Sequence, residues 1–306
     1  MSSPARPRAL TVLLERLVDY AGLFPPARLG MADAVKQFAS HRSSPDAWAL
    51  GRFVVPATRL DEFAREVDAA TSQDGVDGVL APPSTWPLTA LASLPLDADL
   101  ERVHAFNASH DGSKGNWGAH VDSLEVKASS RDEIAQASAA VPAGIEVFFE
   151  VPASEAVDDL CEAAAAAGRG LKIRMGGTTI DAFPPSTVVA RFLGACAAAR
   201  VPFKATAGLH HALRSAHPVT YETGAPTATM HGFLNVFVAA ALLFNRKVDV
   251  AGATRVLEDE LPHGFSFEDG WLAWREQRLE TGEVAAARKF ARSFGSCSFE
   301  EPLGEI

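Results

Sequence analysis

Two short stretches decide the reading of this chain: Leu171-Lys-Ile-Arg174, followed by Met175-Gly-Gly-Thr178, and Val201-Pro-Phe-Lys-Ala-Thr206, followed by Ala207-Gly208. Each is a short apolar run with β-branched or aromatic content that ends in basic and small polar residues. That is the composition of a buried strand whose last residues reach a polar surface. Similar runs stand at Arg52–Pro56, Val76–Leu80, Arg102–Phe106, Ser123–Lys127 and Ile145–Glu150. Between them lie stretches of helical period: Thr58–Ala70, Ser130–Ala140, Ser154–Ala167 and Ser186–Arg200. Ser130 and Glu133 have the spacing of a capping box, and Gly168 stands where a helix would close on a left-handed residue.

Strand then helix, repeated every ~20–30 residues, predicts right-handed βαβ units around a parallel sheet. No G-x-G-x-x-G follows the first run, so a doubly wound dinucleotide fold is the weaker choice. The expected class is α/β, a (β/α)8 TIM-like barrel with an N-terminal helical extension. One domain is expected over 1–306: helices in 1–50, among them Thr11–Tyr20 and Met31–Ser40, the barrel core in 51–260 and a helical closure in 261–306. Seven strands are visible. Met230–Phe237 reads either as the eighth or as the start of a buried helix, because periodicity does not separate these for a continuous apolar run. Trp271–Phe294 reads as helical.

The chain has 306 residues, is 47% apolar and carries a net charge of -10. This excludes general disorder and disfavours nucleic acid and anionic membranes as partners. Three cysteines without ligand spacing suit a reducing, cytoplasmic setting. The longest apolar stretch, Phe233–Phe244, is too short to span a bilayer. Homo-oligomerisation is an open expectation.

Residues i and i+2 of a strand share a face. Glu125 with Lys127, Glu150, Lys172 with Arg174, and Lys204 with Thr206 therefore cluster at the ends of four consecutive strands, where a parallel barrel carries its chemistry. Charged residues flanked by Leu171, Ile173 and Phe203 are costly as mere packing. Lys172 and Lys204 fall on neighbouring strands. A cationic neighbour and desolvation would both lower a lysine pKa, leaving a neutral amine able to attack a carbonyl. Lys172, Lys204, Glu150 and Lys127 are the expected catalytic groups. Arg174, Gly176, Gly177, Thr178, Thr206, His210, His211, His231 and Asn235 are expected to bind a small anionic substrate. The expected function is a lyase or isomerase acting on an anionic carbonyl compound, with no cofactor. A rival reading takes His210 or His211 with His231 and Glu150 as ligands of a divalent metal in a lyase or hydrolase. A third is a non-catalytic small-anion binding protein. Cys297 has no histidine base visible in the sequence and reads as a buried thiol. Asn107–Gly118, with three glycines, reads as a surface loop or a mobile lid.

The segments Leu171–Gly177 and Phe203–Gly208 resemble the sixth- and seventh-strand lysine motifs of deoxyribose-phosphate aldolase, a class I aldolase barrel. The resemblance implies a Schiff base on Lys172 and a tuning role for Lys204. It covers only these two segments, and Arg174 stands two positions after the lysine, where that family has Ser or Thr. Asp19–Pro26, Phe203–His211 and Met230–Asn235 also resemble a bacterial family of barrel-like proteins, which implies no function.

Overall fold

The computed structural model describes residues 6–72, 85–113, 117–154 and 156–306. Eight strands close into a barrel: β1 (Val18–Tyr20), β2 (Leu50–Pro56), β3 (Thr85–Ala92), β4 (Gly118–Lys127), β5 (Glu146–Val151), β6 (Gly170–Arg174), β7 (Phe203–Thr206) and β8 (Ala291–Ser296). Their order around the ring is β1-β8-β7-β6-β5-β4-β3-β2, and every neighbouring pair is parallel. This is a (β/α)8 TIM-like barrel, as the alternation of periods predicts.

The outer ring is built from α1 (Arg8–Leu14), α2 (Met31–Arg42), α3 (Leu60–Ser72), α4 (Asp97–Ser109), α5 (Arg131–Ala140), α6 (Asp158–Ala167), α7 (Ser186–Ala199), α8 (Phe233–Phe244), α9 (Val250–Glu258) and α10 (Thr281–Arg288). A short α11 (Glu300–Leu303) follows β8. The Ser130 hydroxyl accepts a hydrogen bond from the Glu133 amide, so the predicted cap forms. Glu133 turns its carboxylate to the Ser129 amide at 2.6 Å, so the box is not reciprocal. Gly168 closes α6 at φ +63°.

Several expectations are corrected. Arg102–Phe106 is helix, part of α4. Asp97 and Asp99 favour the helix's positive N-terminal end, and Val103 and Phe106, three apart, are both buried. A five-residue window could not show that period. The third strand is instead β3, whose Pro87 argues against a central strand. It is accommodated beside an irregularity in the β3–β4 pairing at Leu88/Thr89. Val76–Leu80 lies outside the described residues. The first strand comes from Val18–Tyr20, within the expected helix Thr11–Tyr20. Trp271–Phe294 is not one helix. Trp271–Trp274 and Gln277–Glu280 pair antiparallel, α10 follows, and Ala291–Ser296 is the eighth strand. The open choice at Met230–Phe237 resolves as helix: α8 is buried from Phe233 to Leu243, so it shows no amphipathic period.

The barrel floor is charged. Arg52 donates to Asp122 at 2.6 Å and to Glu146 at 3.2 Å, and Arg292 reaches Glu146 at 2.9 Å. Above it packs Phe148, buried in the interior beneath Lys204, whereas Phe53 and Phe294 face outward, against Phe38 and Phe63 and against Phe233 and Phe237 of α8. Trp117 and the described part of the Asn107–Gly118 loop precede β4, so they lie at the floor end, opposite the strand tips. The described part of the loop therefore does not stand over the mouth, and residues 114–116 lie outside the described residues.

Candidate active site

Strand register brings the charged residues together. Lys172 pairs with Glu150 on one side and with Lys204 on the other, and Lys127 pairs with Glu150. Lys172 Nζ lies 2.6 Å from Glu125 Oε2 and 2.7 Å from Glu150 Oε2. Lys204 Nζ lies 2.7 Å from Glu125 Oε1 and 2.7 Å from Asp19 Oδ2. Glu150 Oε1 in turn meets Arg174 at 3.2 Å. The result is one chain of alternating charge, Asp19–Lys204–Glu125–Lys172–Glu150–Arg174, whose six formal charges cancel. It runs from the interior of β1 to the open ends of β5 and β6.

Burial makes the chain consequential. Lys172, Lys204, Glu125 and Asp19 are 3%, 1%, 6% and 1% exposed. Charges so far from water persist only when each is paired and hydrogen-bonded. Asp19 also accepts from the Arg52 amide at 2.8 Å and from Ser293 Oγ at 2.7 Å. Lys204 Nζ stands 5.2 Å from the Phe148 ring centroid, within cation–π reach. Burial alone would raise the Glu125 carboxyl, but the two ammonium groups outweigh it and hold it at about 2. Glu150 is also held below the usual carboxylate range, because Lys172 and Arg174 outweigh its partial burial. Burial would lower Lys204, but Asp19 and Glu125 outweigh it and raise it.

This corrects one premise of the sequence reading. Lys172 and Lys204 do lie on neighbouring strands, as expected, and pair in register, but they do not confront each other as bare cations. Glu125 is interposed, one oxygen to each. Asp19 and Glu125 shift Lys204 upward against its burial, and Glu125 stands between it and Lys172.

Above the chain opens a cavity of about 740 Å³ at the carboxyl ends of the strands. Lys172, Glu125, Glu150, Lys127 and Arg174 reach its wall, as do Gly177, Thr178, Thr206 and His210. Lys204 lies beneath, behind Glu125. Phe24, Pro25 and Pro26, just after β1, form part of its apolar side. Gly176 supports the wall from outside: a Cβ there would sit 2.4 Å from Phe183 and 2.9 Å from the Cα of Gly208.

The remaining expected residues are elsewhere. Asn235 is fully buried in α8. Its amide donates to Val256 O and Asp259 O, both at 2.7 Å, and its Oδ1 accepts from the Arg214 amide. His231 is buried with Nε2 2.8 Å from Pro184 O. His211 Nδ1 is 2.7 Å from Glu305, and its ring stacks on His217. Among the described residues, no three His, Cys, Asp or Glu side chains stand close enough together to hold a metal ion. No helix among them is long and apolar enough to cross a membrane.

Sequence reasoning passed over Asp19 and gave Glu125 no role. Asp19 sits in a three-residue strand that the helical period concealed. Glu125 was visible as the face-mate of Lys127, yet its position between two lysines depends on ring closure.

Fold and site together define a TIM-like barrel with a buried chain of alternating charges beneath a cavity at the carboxyl ends of its strands. No protein-family model matches this chain, and no curated protein matches it.

Proposed function

We propose that the protein is a lyase or isomerase that handles a small anionic carbonyl compound through a Schiff base on Lys172, in the manner of a class I aldolase. The observation that carries this reading is the seat of Lys172 Nζ: on the wall of the cavity, between two carboxylates at 2.6 and 2.7 Å. A protonated Schiff base carries the same single positive charge at the same atom. The site is therefore complementary in advance to the intermediate.

The steps balance within the cavity. Lys172 passes one proton to Glu150, whose ionised carboxylate faces it. The free amine adds to the carbonyl carbon, one of its protons passing to the carbonyl oxygen, and Glu150 gives its proton back to the carbinolamine hydroxyl, which leaves as water. The iminium then lies between Glu125 and Glu150. Cleavage of the bond beyond the adjacent carbon, the departing fragment becoming an aldehyde as its hydroxyl proton passes to Glu150, or loss of the adjacent carbon's own proton to Glu150, leaves a neutral enamine. Reprotonation and hydrolysis regenerate the lysine. Lys204 keeps Glu125 ionised and in place. Arg174 and Lys127 supply positive charge at the rim for the anionic group.

The test is reductive trapping. The protein is incubated with glyoxylate, pyruvate or a short phosphorylated aldehyde in the presence of borohydride, then digested and mapped by mass spectrometry. Adduct on Lys172, absent in Lys172→Gln, is expected. Absence of a Lys172 adduct with every carbonyl compound tried removes the Schiff-base reading, and thermal stabilisation by the same compounds without any adduct would mark a binding protein instead.

A further inference from the structure

The cavity above the charge chain has two unlike halves. β6 and β2 stand opposite each other in the ring of strands, so they face across the mouth. The half around β6 is polar. Lys127 comes from β4, Glu150 from β5, Lys172 and Arg174 from β6, and Thr206 from β7. The half around β2 has no charged side chain among the described residues that line the cavity. It is made of Ala21 and Phe24 after β1, Val54 of β2, Leu91 and Ala92 of β3, and Leu94 just beyond. Among them only Ser93 brings a side-chain hydroxyl to this half.

The apolar half is a fixed wall. The Ala21 amide donates to Ser296 O at 2.6 Å, the Phe24 amide to Ala21 O at 3.0 Å and the Leu29 amide to Gly22 O at 2.9 Å, which holds the turn that carries Phe24. The Ser93 amide donates to Asp99 at 2.9 Å and anchors the turn after β3. Phe24 is half-buried, and it is the only phenylalanine, tyrosine or tryptophan among the described residues that line the cavity.

Size points the same way. A cavity of about 740 Å³ falls in the range of about 300–1,000 Å³ that encloses a drug-sized molecule. Glyoxylate or pyruvate, with its carbonyl at Lys172 and its carboxylate towards Arg174 and Lys127, would leave the β1–β3 half to water. A sugar-like chain would set hydroxyls against side chains that offer them almost no partner, and desolvation counts against that. An aromatic or branched-alkyl group would displace water from apolar surface and gain by it.

We propose that the substrate is a 2-oxo acid with an aromatic or branched-alkyl group at the end remote from its carboxylate, and that this group sits on the β1–β3 half with Phe24 as its main contact. The proposal deepens the Schiff-base reading and rests on it for the position of the carbonyl. In the lyase direction such a substrate is a 4-hydroxy-2-oxo acid. The bond between its third and fourth carbons breaks, and the electron pair passes into the enamine on Lys172. The fourth carbon becomes the carbonyl carbon of an apolar aldehyde, its hydroxyl proton passing to Glu150. Nothing is oxidised or reduced, and the aldehyde forms against the apolar half.

Two comparisons test it. Neither propanoate nor 3-phenylpropanoate has a ketone or aldehyde carbonyl, so the pair reports on the apolar half without lysine chemistry. Calorimetric titration of the wild-type protein is expected to show 3-phenylpropanoate binding about tenfold or more tightly than propanoate, the scale of burying one apolar side chain's worth of surface. Phe24→Ala should bring the ratio of the two affinities down towards one. Should that variant not fold, Leu94→Ser, at a position already 39% exposed, should lower the same ratio by a smaller factor. Equal affinities in the wild type, or a ratio unchanged in the folded variants, overturn the proposal. In borohydride trapping at Lys172, phenylpyruvate should reach half-saturation at a concentration about tenfold or more below that for pyruvate. Adducts from both at equal concentrations overturn the apolar seat and leave the Schiff base standing. Tight binding of 3-phenylpropanoate with no Lys172 adduct from either oxo acid does the reverse: the apolar seat stands, and the lysine chemistry falls together with the substrate class assigned through it.

Discussion

Replacing Glu125 by glutamine should cost the fold about 3 kcal/mol at neutral pH. The variant keeps the shape of the side chain and removes its charge, leaving Lys172 with Glu150 alone and Lys204 with Asp19 alone. The Glu125 carboxyl titrates at about 2 in the folded protein against an ordinary 4.5. At about 1.4 kcal/mol per pH unit, that gap corresponds to about 3 kcal/mol of stabilisation by the ionised form. Removing one partner of a buried ion pair costs a similar ~3–5 kcal/mol. The sign follows from a folded pKa that is depressed. The contribution is complete above the unfolded value and is lost as pH falls from about 4.5 towards about 2. The difference between wild type and variant should therefore shrink in acid, by about 1 kcal/mol at pH 4 relative to pH 7. Urea denaturation followed by both circular dichroism and tryptophan fluorescence measures it, provided the two transitions coincide and the slope is unchanged. A difference below about 1 kcal/mol at pH 7, or one that does not narrow in acid, would refute the account of Glu125 as a bridging carboxylate.

The packing of the mouth and the anion site give two more expectations. Gly208→Ala should destabilise more than Gly168→Ala. Both glycines have positive φ, +69° and +63°, but a Cβ at Gly208 would meet the Gly176 Cα at 2.8 Å, whereas nothing lies within 4 Å at Gly168. Strain alone costs about 1 kcal/mol and the added overlap should at least double it; equal melting temperatures in the two variants would count against the close approach of these turns. Arg174→Ala should weaken the concentration dependence of glyoxylate trapping at Lys172 by about tenfold, the scale of one charge-assisted contact, with the adduct at saturation retained; an unchanged half-saturation concentration would remove Arg174 from substrate binding.

How far the sequence could be read depended on whether a feature was local. The strand runs at Arg52–Pro56, Ser123–Lys127, Ile145–Glu150, Leu171–Arg174 and Val201–Thr206, the Ser130 cap and the Gly168 stop are all set by neighbouring residues. Period-2 burial, side chain to backbone bonding and the conformational freedom of glycine act within a turn or a strand, so composition alone revealed them. The polarity of the strand tips was legible for the same reason: Lys172 with Arg174, and Lys204 with Thr206, must share a face. Three assignments failed where the local signal was weak or ambiguous. Val18–Tyr20 and Ala291–Ser296 are short or polar and become strands because the ring supplies partners on both sides. Arg102–Phe106 carries apolar residues compatible with either period, and packing chose helix.

What only the tertiary structure decided is which charge meets which. Glu125 is 47 residues from Lys172, and Asp19 is 274 residues from Ser293. Their meeting depends on barrel closure and strand register, not on any neighbouring residue. Electrostatic energy at these buried positions varies steeply with separation and with loss of water. Two lysines on adjacent strands thus imply mutual repulsion in sequence, and become, once a carboxylate stands between them, links in a neutral chain.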